Sequence, residues 1–433
     1  MRMQAHDICI SGGGPAGLAV ALALAAKGRA VTVLAQGLPC VVPEVASASG
    51  GPHLATHSPP LARDTRTTAI LGDGITLLQN LGVWDRLAAV CAPLTAIRII
   101  DARGDWLTAP EVLFQAQELQ RAAFGYAAFG YNVPNEPLRA ALLAVAAAHP
   151  AITLVPTRGV SAMLPGAGHV VIETSENTAF EARLLIAADG RGSIAPKAAG
   201  ITMRSWSYGQ VAIATSFGHG RPHGGASNEL HRRTGPLTTV PLPDTPEGPR
   251  SSLVWVETPD AAARLMALDD TDFLVALRGA LGGLLGPLHS VDRRGSFPIR
   301  GSMATSVAKN RIVLAGEAAH VVPPIGAQGL KLGFRDAAAI ADAVADTHGG
   351  DPGAAAVMAA YARARAADLV SREIGIDLLN RSLLLDFLPV QAVRGLGLHA
   401  LANSSTLRRA AMRIGLRGPG EVPSLMRALA KAV

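Results

Sequence analysis

The stretch from Asp7 to Gln36, DICISGGGPAGLAVALALAAKGRAVTVLAQ, constrains the fold more than any other part of the chain. A short apolar strand, Ile8 to Ser11, runs into a Gly-rich turn and then into an apolar helix. Gly12, Gly14 and Gly17 stand in the pattern G-x-G-x-x-G. The first glycine permits a tight turn, the second leaves room for a pyrophosphate against the backbone, and the third lets the helix lie close to the sheet. The helix start, with Pro15 and Ala16, offers a diphosphate unpaired N–H groups and a partial positive charge. A second strand, Ala30 to Ala35, follows after one crossover helix and ends at Gln36, where a carboxylate normally grips an adenosine ribose. A Gln can donate and accept toward hydroxyls but brings no charge. The stretch predicts an α/β sheet with a dinucleotide site at its first strand.

With 433 residues, 49% of them hydrophobic, the chain can bury a large core divided into about two or three domains. The first strand starts after six residues, which leaves no room for a secretory signal. No clean apolar run has the length of a membrane span: Leu18 to Ala26 is too short, and Ile312 to Leu332 is broken by Glu317, His320 and two prolines. A soluble, cytoplasmic protein is expected. Cys9, Cys40 and Cys91 are too scattered for a disulfide framework or a metal site. The net charge of +6 comes without a basic stripe interleaved with aromatic rings, so no nucleic-acid partner is expected. The Leu- and Arg-rich stretch from Leu378 to Arg413 suits either a core or dimer-forming helix pair or contact with an anionic membrane surface.

Along the chain, Gly37 to Asp64 is a Pro-, Ser- and Gly-rich segment too long for an ordinary connector. A helix is expected from Thr67 to Leu81, a hairpin over Asp101 to Gln115, a helix from Leu138 to Ala148 and a strand from Ile152 to Val155. The middle third alternates strands with polar turns and reads as mostly antiparallel. Within it, Gly218 to Gly235 is read as a solvated loop whose His219, His223 and His231 lack the rigid spacing of a metal site. Arg311 to Ala315 reads as a buried parallel strand, and the chain from Pro352 onward as helical.

Two further motifs extend the nucleotide site. LIAADGRGS places Asp189 and Gly190 after a buried strand, as a simple turn or cap would also do. GEAAH at Gly316 to His320 and PPIGAQG at Pro323 to Gly329 give a strand, a Gly, a carboxylate and a second Gly-rich turn that opens a helix near Ala327. Glu317 can accept from ribityl hydroxyls, and the N–H groups near Gly326 to Gly329 can face a ring edge that carries negative charge. For His320 a structural hydrogen bond across the turn and a proton-transfer role are both open.

With these motifs the sequence resembles the class A FAD-dependent aromatic hydroxylases (monooxygenases), and within them the ubiquinone-biosynthesis hydroxylases. The resemblance runs from Asp7 to about Asp368 through D-x-R at Asp64 to Arg66, LGVWDRL, VPNEPLRAAL, ADGRGS, WSYGQ, GPLTTVPLP, FPI and HVVPPIGAQG. Tyr361, Arg365 and Asp368 complete it. It implies that Gly12, Gly14, Pro15, Ala16, Gly17 and Gln36 hold the diphosphate and adenosine half of FAD, and that Arg66 contacts the cofactor. Asp189 and Gly190 would serve the diphosphate region and reductant docking, and Gly316 and Glu317 the ribityl chain. Pro324, Gly326, Ala327, Gln328 and Gly329 would line the flavin ring. The sequence departs from the family pattern at Gln36 for Glu, Glu317 for Asp, Pro196 for Arg and Lys331 for Asn.

The resemblance implies a discontinuous, Rossmann-like FAD domain (1–75, 95–200 and 290–345) with an inserted, mostly antiparallel substrate domain (76–94 and 201–289) and a helical C-terminal region (346–433). It also implies NAD(P)H as electron donor, O2 as co-substrate and a lipid-tailed phenol as substrate, with no catalytic side chain assigned. Peripheral contact with the inner membrane, a homodimer or a biosynthetic complex fits the same reading. The alternatives are a hydroxylase of another small aromatic compound and a non-catalytic flavoprotein subunit of a biosynthetic assembly.

Overall fold

Strand β1 (Gln4–Ser11), helix α1 (Pro15–Ala26) and strand β2 (Val31–Ala35) form as the Gly-rich unit predicts, with β2 parallel to β1. Gly17 to Ala25 are all buried, so α1 is packed on every side, as its unbroken apolar sequence requires. The computed structural model describes residues 4–38, 64–103, 110–120, 127–324, 328–347, 350–384, 388–416 and 420–428. Cys40, most of the Gly37 to Asp64 segment, Gly326 and Ala327 lie outside the described residues.

Strand β3 (Thr67–Leu71) and helix α2 (Gly72–Asn80) occupy the stretch expected to be one helix from Thr67 to Leu81. The difference has a physical cause. Thr67, Thr68 and Ile70 are β-branched, and every residue of β3 pairs with the later strand Gly130–Pro134. Next come β4 (Ala92–Leu94), β5 (Ala96–Asp101), β6 (Val112–Gln115), α3 (Gln117–Gln120), β7 (Gly130–Pro134), α4 (Asn135–Ala147) and β8 (Ile152–Pro156). The hairpin is present as β5 and β6, but its first strand ends at Asp101 rather than starting there. The chain continues through β9 (Val160–Pro165), β10 (Val170–Thr174), β11 (Ala179–Ala187) and α5 (Ala195–Ala199). It then enters β12 (Met203–His219), β13 (Ala226–Arg232), β14 (Gly235–Thr245) and β15 (Gly248–Glu257), followed by α6 (Pro259–Ala267) and α7 (Asp270–Leu281). After β16 (Leu288–Val291), β17 (Gly295–Ala304), β18 (Ala308–Lys309), β19 (Ile312–Leu314) and β20 (His320–Val321), the rest is helical. Its main helices are α8 (Gln328–Ala345), α9 (Ala355–Leu384), α10 (Leu388–Asn403) and α11 (Ser405–Leu416).

The first sheet has the order β18-β19-β11-β1-β2-β8, with β10 added on β11 and β9 on β10. Its centre is parallel: β19, β11, β1, β2 and β8 all run the same way. The second sheet has the order β20-β17-β12-β15-β14-β13-β5-β6, with β16 on β12, and all its pairings are antiparallel except β13 with β5. Residues 96–115 and 295–304 therefore contribute strands to this second sheet. β3, β7 and β4 make a small third sheet. One face of the second sheet packs Ile213, Phe217, Leu253 and Trp255 against Phe273 and Leu277 of α7.

Strand β13 lies inside Gly218 to Gly235, and this corrects the expectation of a solvated loop. Its polar residues are satisfied within the protein: Asn228 Nδ2 donates to Thr239 Oγ1 at 3.0 Å and Ser227 Oγ to the Thr239 carbonyl at 3.3 Å. The sequence looked polar because these groups find internal partners, while Leu230 carries the apolar contact. His219 is wholly buried at the end of β12, between the Arg221 carbonyl at 2.9 Å and Ser251 Oγ at 3.0 Å. Among the described residues, no group of three or more His, Cys, Asp or Glu is placed to hold a metal ion. No helix among them is long and apolar enough to cross a membrane.

Candidate functional site

Three turns leave the carboxyl ends of neighbouring parallel strands. Gly12 N–H donates to Leu34 O at 2.9 Å, Ala188 N–H to Ser11 O at 2.7 Å and Ala315 N–H to Ala187 O at 2.9 Å. The Gly12 to Gly17 turn, the Asp189-Gly190 turn and the Gly316-Glu317 turn thus share one edge of the sheet. β1 sits between β2 and β11 there, at the point where the order of connections reverses and α/β proteins place ligands.

The glycines of the first turn have separate duties. Gly12 has φ +121°, and a Cβ on it would come within 2.3 Å of Ala188 O. A Cβ on Gly17 would stand 2.0 Å from Gly12 O, so the helix touches the turn only because no side chain intervenes. A Cβ on Gly14 would meet nothing within 4 Å, which leaves the helix N-terminus open on that side. Gly14 is the N-cap of α1, Pro15 follows it, and the first turn holds no acidic residue to compete with an anion. The Ala16 methyl lies under the third turn, 3.0 Å from where a Gly316 Cβ would be. The residues present fit a bound diphosphate.

Gln36 follows β2 as expected, but its side-chain Nε2 donates to the Arg158 carbonyl. Arg139 of α4 closes the same corner, donating to Gly13 O at 2.9 Å and Gly37 O at 3.1 Å. Arg66 pairs with Asp64 through two side-chain hydrogen bonds of 2.8 Å, and Asn135 Nδ2 donates to the same carboxylate at 2.9 Å. Burial opposes the charge on Asp64, but Arg66 and Asn135 outweigh it and hold the carboxyl below its ordinary range. The Arg66 guanidinium also lies 5.0 Å from the centre of the Phe297 ring. Asp189 keeps an accessible edge, yet the protein packed around it pushes its carboxyl up, against a 3.2 Å hydrogen bond from Ser11 Oγ.

In the third turn, Glu317 pairs with Arg191 at 2.8 Å, linking this turn to the one after Asp189. Below it lies a fully buried charge network. Asp336 accepts from Gly316 N–H at 2.8 Å, His320 Nε2 at 2.7 Å and Arg365 Nε at 2.6 Å. Asp368 accepts from Arg365 and Arg335 at 2.6 Å each, and Tyr361 OH donates to Leu314 O at 2.9 Å. His320 thus makes the structural hydrogen bond that its place in the turn allows. Pro324 and Gly329 are exposed and Gln328 half-buried at the start of α8. Lys331, where the resemblance expects Asn, points elsewhere: its buried ammonium donates to the Gly415 and Leu416 carbonyls at the end of α11.

Between these turns and the second sheet lies a cavity of about 140 Å³. Arg66, Arg191, Pro323 and Pro324 line one side, and Ala212, Ala214, Ser252, Val254, Phe297 and Ile299 the other. Ser252 Oγ accepts from Thr67 Oγ1 at 2.9 Å and from Asn132 Nδ2 at 3.2 Å. A mostly apolar cavity with a few convergent polar groups, next to turns that fit a diphosphate, suits a flat organic ligand.

Comparison with known proteins identifies the family of the chain. Residues 59–371 match the family described as FAD binding domain. The chain belongs to that family. FAD is its cofactor, and it is an FAD-dependent aromatic hydroxylase of the monooxygenase kind. It is 34% identical to the ubiquinone hydroxylase UbiL of Rhodospirillum rubrum, covering 97% of this chain and 92% of that one. It is 30% identical to the 3-demethoxyubiquinol 3-hydroxylase of Escherichia coli, covering 96% of this chain and all of that one. The fold is that of p-nitrophenol 4-monooxygenase PnpA from Pseudomonas putida, with 18% identity, a TM-score of 0.73 and coverage of 96% and 100%. Within this FAD-binding family frame, the structure adds residues that sequence reasoning passed over. Arg139 carried no role in the sequence reading, although an arginine in the first turns of a helix after a strand is a visible signal. The adjacent charges Arg335 and Asp336, flanked by Phe334 and Ala337 to Ala339 in α8, were a second one.

Proposed function

We propose that this protein hydroxylates the aromatic ring of a polyprenylated phenol in ubiquinone biosynthesis, with NAD(P)H as electron donor and O2 as oxygen source. The observation that carries the reading is the mostly apolar cavity, bounded by Arg66, Phe297 and the Pro323-Pro324 turn, alongside near full-length similarity to two named ubiquinone-pathway hydroxylases. Gly12, Gly14, Pro15, Ala16 and Gly17 would hold the FAD diphosphate, Gln36 and Arg139 the adenosine side, Arg66 and Asp189 the middle, and Gly316, Glu317, Pro324, Gln328 and Gly329 the ribityl and ring end. Bound FAD supplies electron storage and oxygen activation. The chain's part is to orient the phenol against the cavity wall and to keep water out. The first sheet would mark the FAD domain, and the second, with 96–115 and 295–304, the substrate domain.

The C-terminal helices favour a tailed substrate taken from a membrane surface, peripheral to the inner membrane. Leu396 of α10 and Leu407 and Ile414 of α11 are exposed at 70%, 48% and 76%, and α11 also carries Arg409 and Arg413. Exposed apolar side chains on helices that also carry arginines suit an anionic bilayer interface. The test is NAD(P)H oxidation with and without a panel of tailed and untailed phenols, together with flotation on anionic vesicles. Stimulation by tailed phenols and salt-sensitive flotation support the reading. Oxidation indifferent to every phenol would sink the hydroxylase part, and absence of flotation at low salt the membrane part.

A further inference from the structure

We propose that Glu229 is a substrate-recognition residue that accepts a hydrogen bond from the ring hydroxyl. The inference rests on the phenol hydroxylase reading and deepens it. Its basis is a single cross-strand row on the second sheet: Glu229 pairs with Thr238, Thr238 with Val254, and Val254 with Ala214. Directly paired residues point to the same face of a sheet. Val254 and Ala214 line the cavity, so Glu229 faces the same way, about 10 Å from Val254 at two strand spacings. An aromatic ring, its hydroxyl and the Glu229 side chain together fit that span. On its other side Glu229 pairs with Ile99, which packs on the apolar cluster closed by Leu398 and Met412 of the C-terminal helices.

Among the described residues nothing in the protein partners this carboxyl. It is only half-buried by area, yet the protein around it is dense enough that desolvation alone pushes its carboxyl up from the ordinary range. Its neighbours on the opposite face, the one packed against α7, have partners: Asn228 meets Thr239 at 3.0 Å and Arg232 meets Glu257 at 2.8 Å. A half-buried carboxyl with no partner among the described residues is open to a hydrogen-bond donor on a ligand. A phenol hydroxyl is a donor, and a carboxylate, with acceptor sites only, is its complement.

The test uses FAD-loaded protein and two probes, 2-prenylphenol and its methyl ether, with binding read from the perturbation of flavin absorbance. The wild type is expected to bind the phenol more tightly than the ether. Glu229→Leu is expected to weaken phenol binding about 10- to 100-fold while leaving the ether and FAD unaffected. Glu229→Gln, which keeps an acceptor oxygen, should restore part of the preference. Removing a carboxyl that costs stability should also raise the thermal midpoint of Glu229→Leu. An unchanged preference in Glu229→Leu, an equal loss for both probes, or failure of that variant to fold would each overturn the assignment. A wild type that binds neither probe would instead remove the hydroxylase reading, and this inference with it.

Discussion

The carboxylate of Asp336 meets the guanidinium of Arg365 at 2.6 Å, and neither side chain is more than 1% exposed. The pair joins α8 to α9. Through the 2.8 Å bond from Gly316 N–H to Asp336, it also fixes the turn that carries Glu317. The Gly316-Glu317 turn at the edge of the first sheet is therefore positioned from beneath by the helical part of the chain.

Breaking that pair should be costly. Asp336→Asn leaves Arg365 and His320 without their shared anion, and loss of one partner of a buried pair costs about 3–5 kcal/mol. Burial opposes the charge on Asp336, but His320 and Arg365 outweigh it, so its carboxyl lies well below the ordinary carboxylate range. For a depressed carboxyl, the stabilisation is complete above the unfolded pKa of about 3.9 and is lost as pH falls toward the folded value. Urea midpoints of wild type should therefore drop steeply between about pH 5 and pH 2, and those of Asp336→Asn should start lower and fall less. Parallel curves for the two proteins would contradict this.

The glycines of the first turn should separate folding from cofactor binding. Gly17→Ala forces a methyl group against Gly12 O and is expected to lower the thermal midpoint of cofactor-free protein. Gly14→Ala meets no protein atom, so it should keep that midpoint and lose FAD affinity. Thermal scans before and after addition of FAD distinguish the two, and a Gly14→Ala protein stabilised by FAD as well as wild type would refute the role given to Gly14.

The parts of the fold legible in the sequence were those with a local cause. The strand, turn, helix and strand of Asp7 to Gln36 combine glycine geometry with unbroken apolar runs, and both signals survive in any context. β3 was hidden because its apolar residues Ala69, Ile70 and Leu71 run on into those of α2, and pairing with the distant β7 decides for a strand. β13 was hidden because its polar side chains find partners on β14, 11 and 12 residues away. The three turns after β1, β11 and β19 were legible one by one, whereas their shared sheet edge and the network under Gly316 depend on long-range pairing.

Arg66 and Glu317 should both matter for FAD retention. Truncating a charged partner of a bound ligand costs about 2–5 kcal/mol, so Arg66→Ala should purify with little flavin. Glu317→Ala should do the same, while Glu317→Asp keeps the carboxylate and the flavin. Full flavin content, measured by absorbance per protein, in both alanine variants would take these residues out of the site.

Lys331 should hold the end of α11 in place. Its charge-assisted bond to the Leu416 carbonyl is worth about 1.5–3 kcal/mol, and Lys331→Met keeps the volume without the donor. Hydrogen exchange of the α11 amides should speed up in this variant while that of α1 stays unchanged. Equal exchange in α11 would show that Lys331 does not secure it.

The central claim is oxygen insertion into a phenol ring, and labelled dioxygen tests it most directly. FAD-loaded protein, NADPH, a prenylated phenol and isotopically heavy O2 should yield a product heavier by one labelled oxygen atom, in an amount matching the NADPH consumed. NADPH consumption that yields only hydrogen peroxide, or a product whose new oxygen comes from water, would contradict the account.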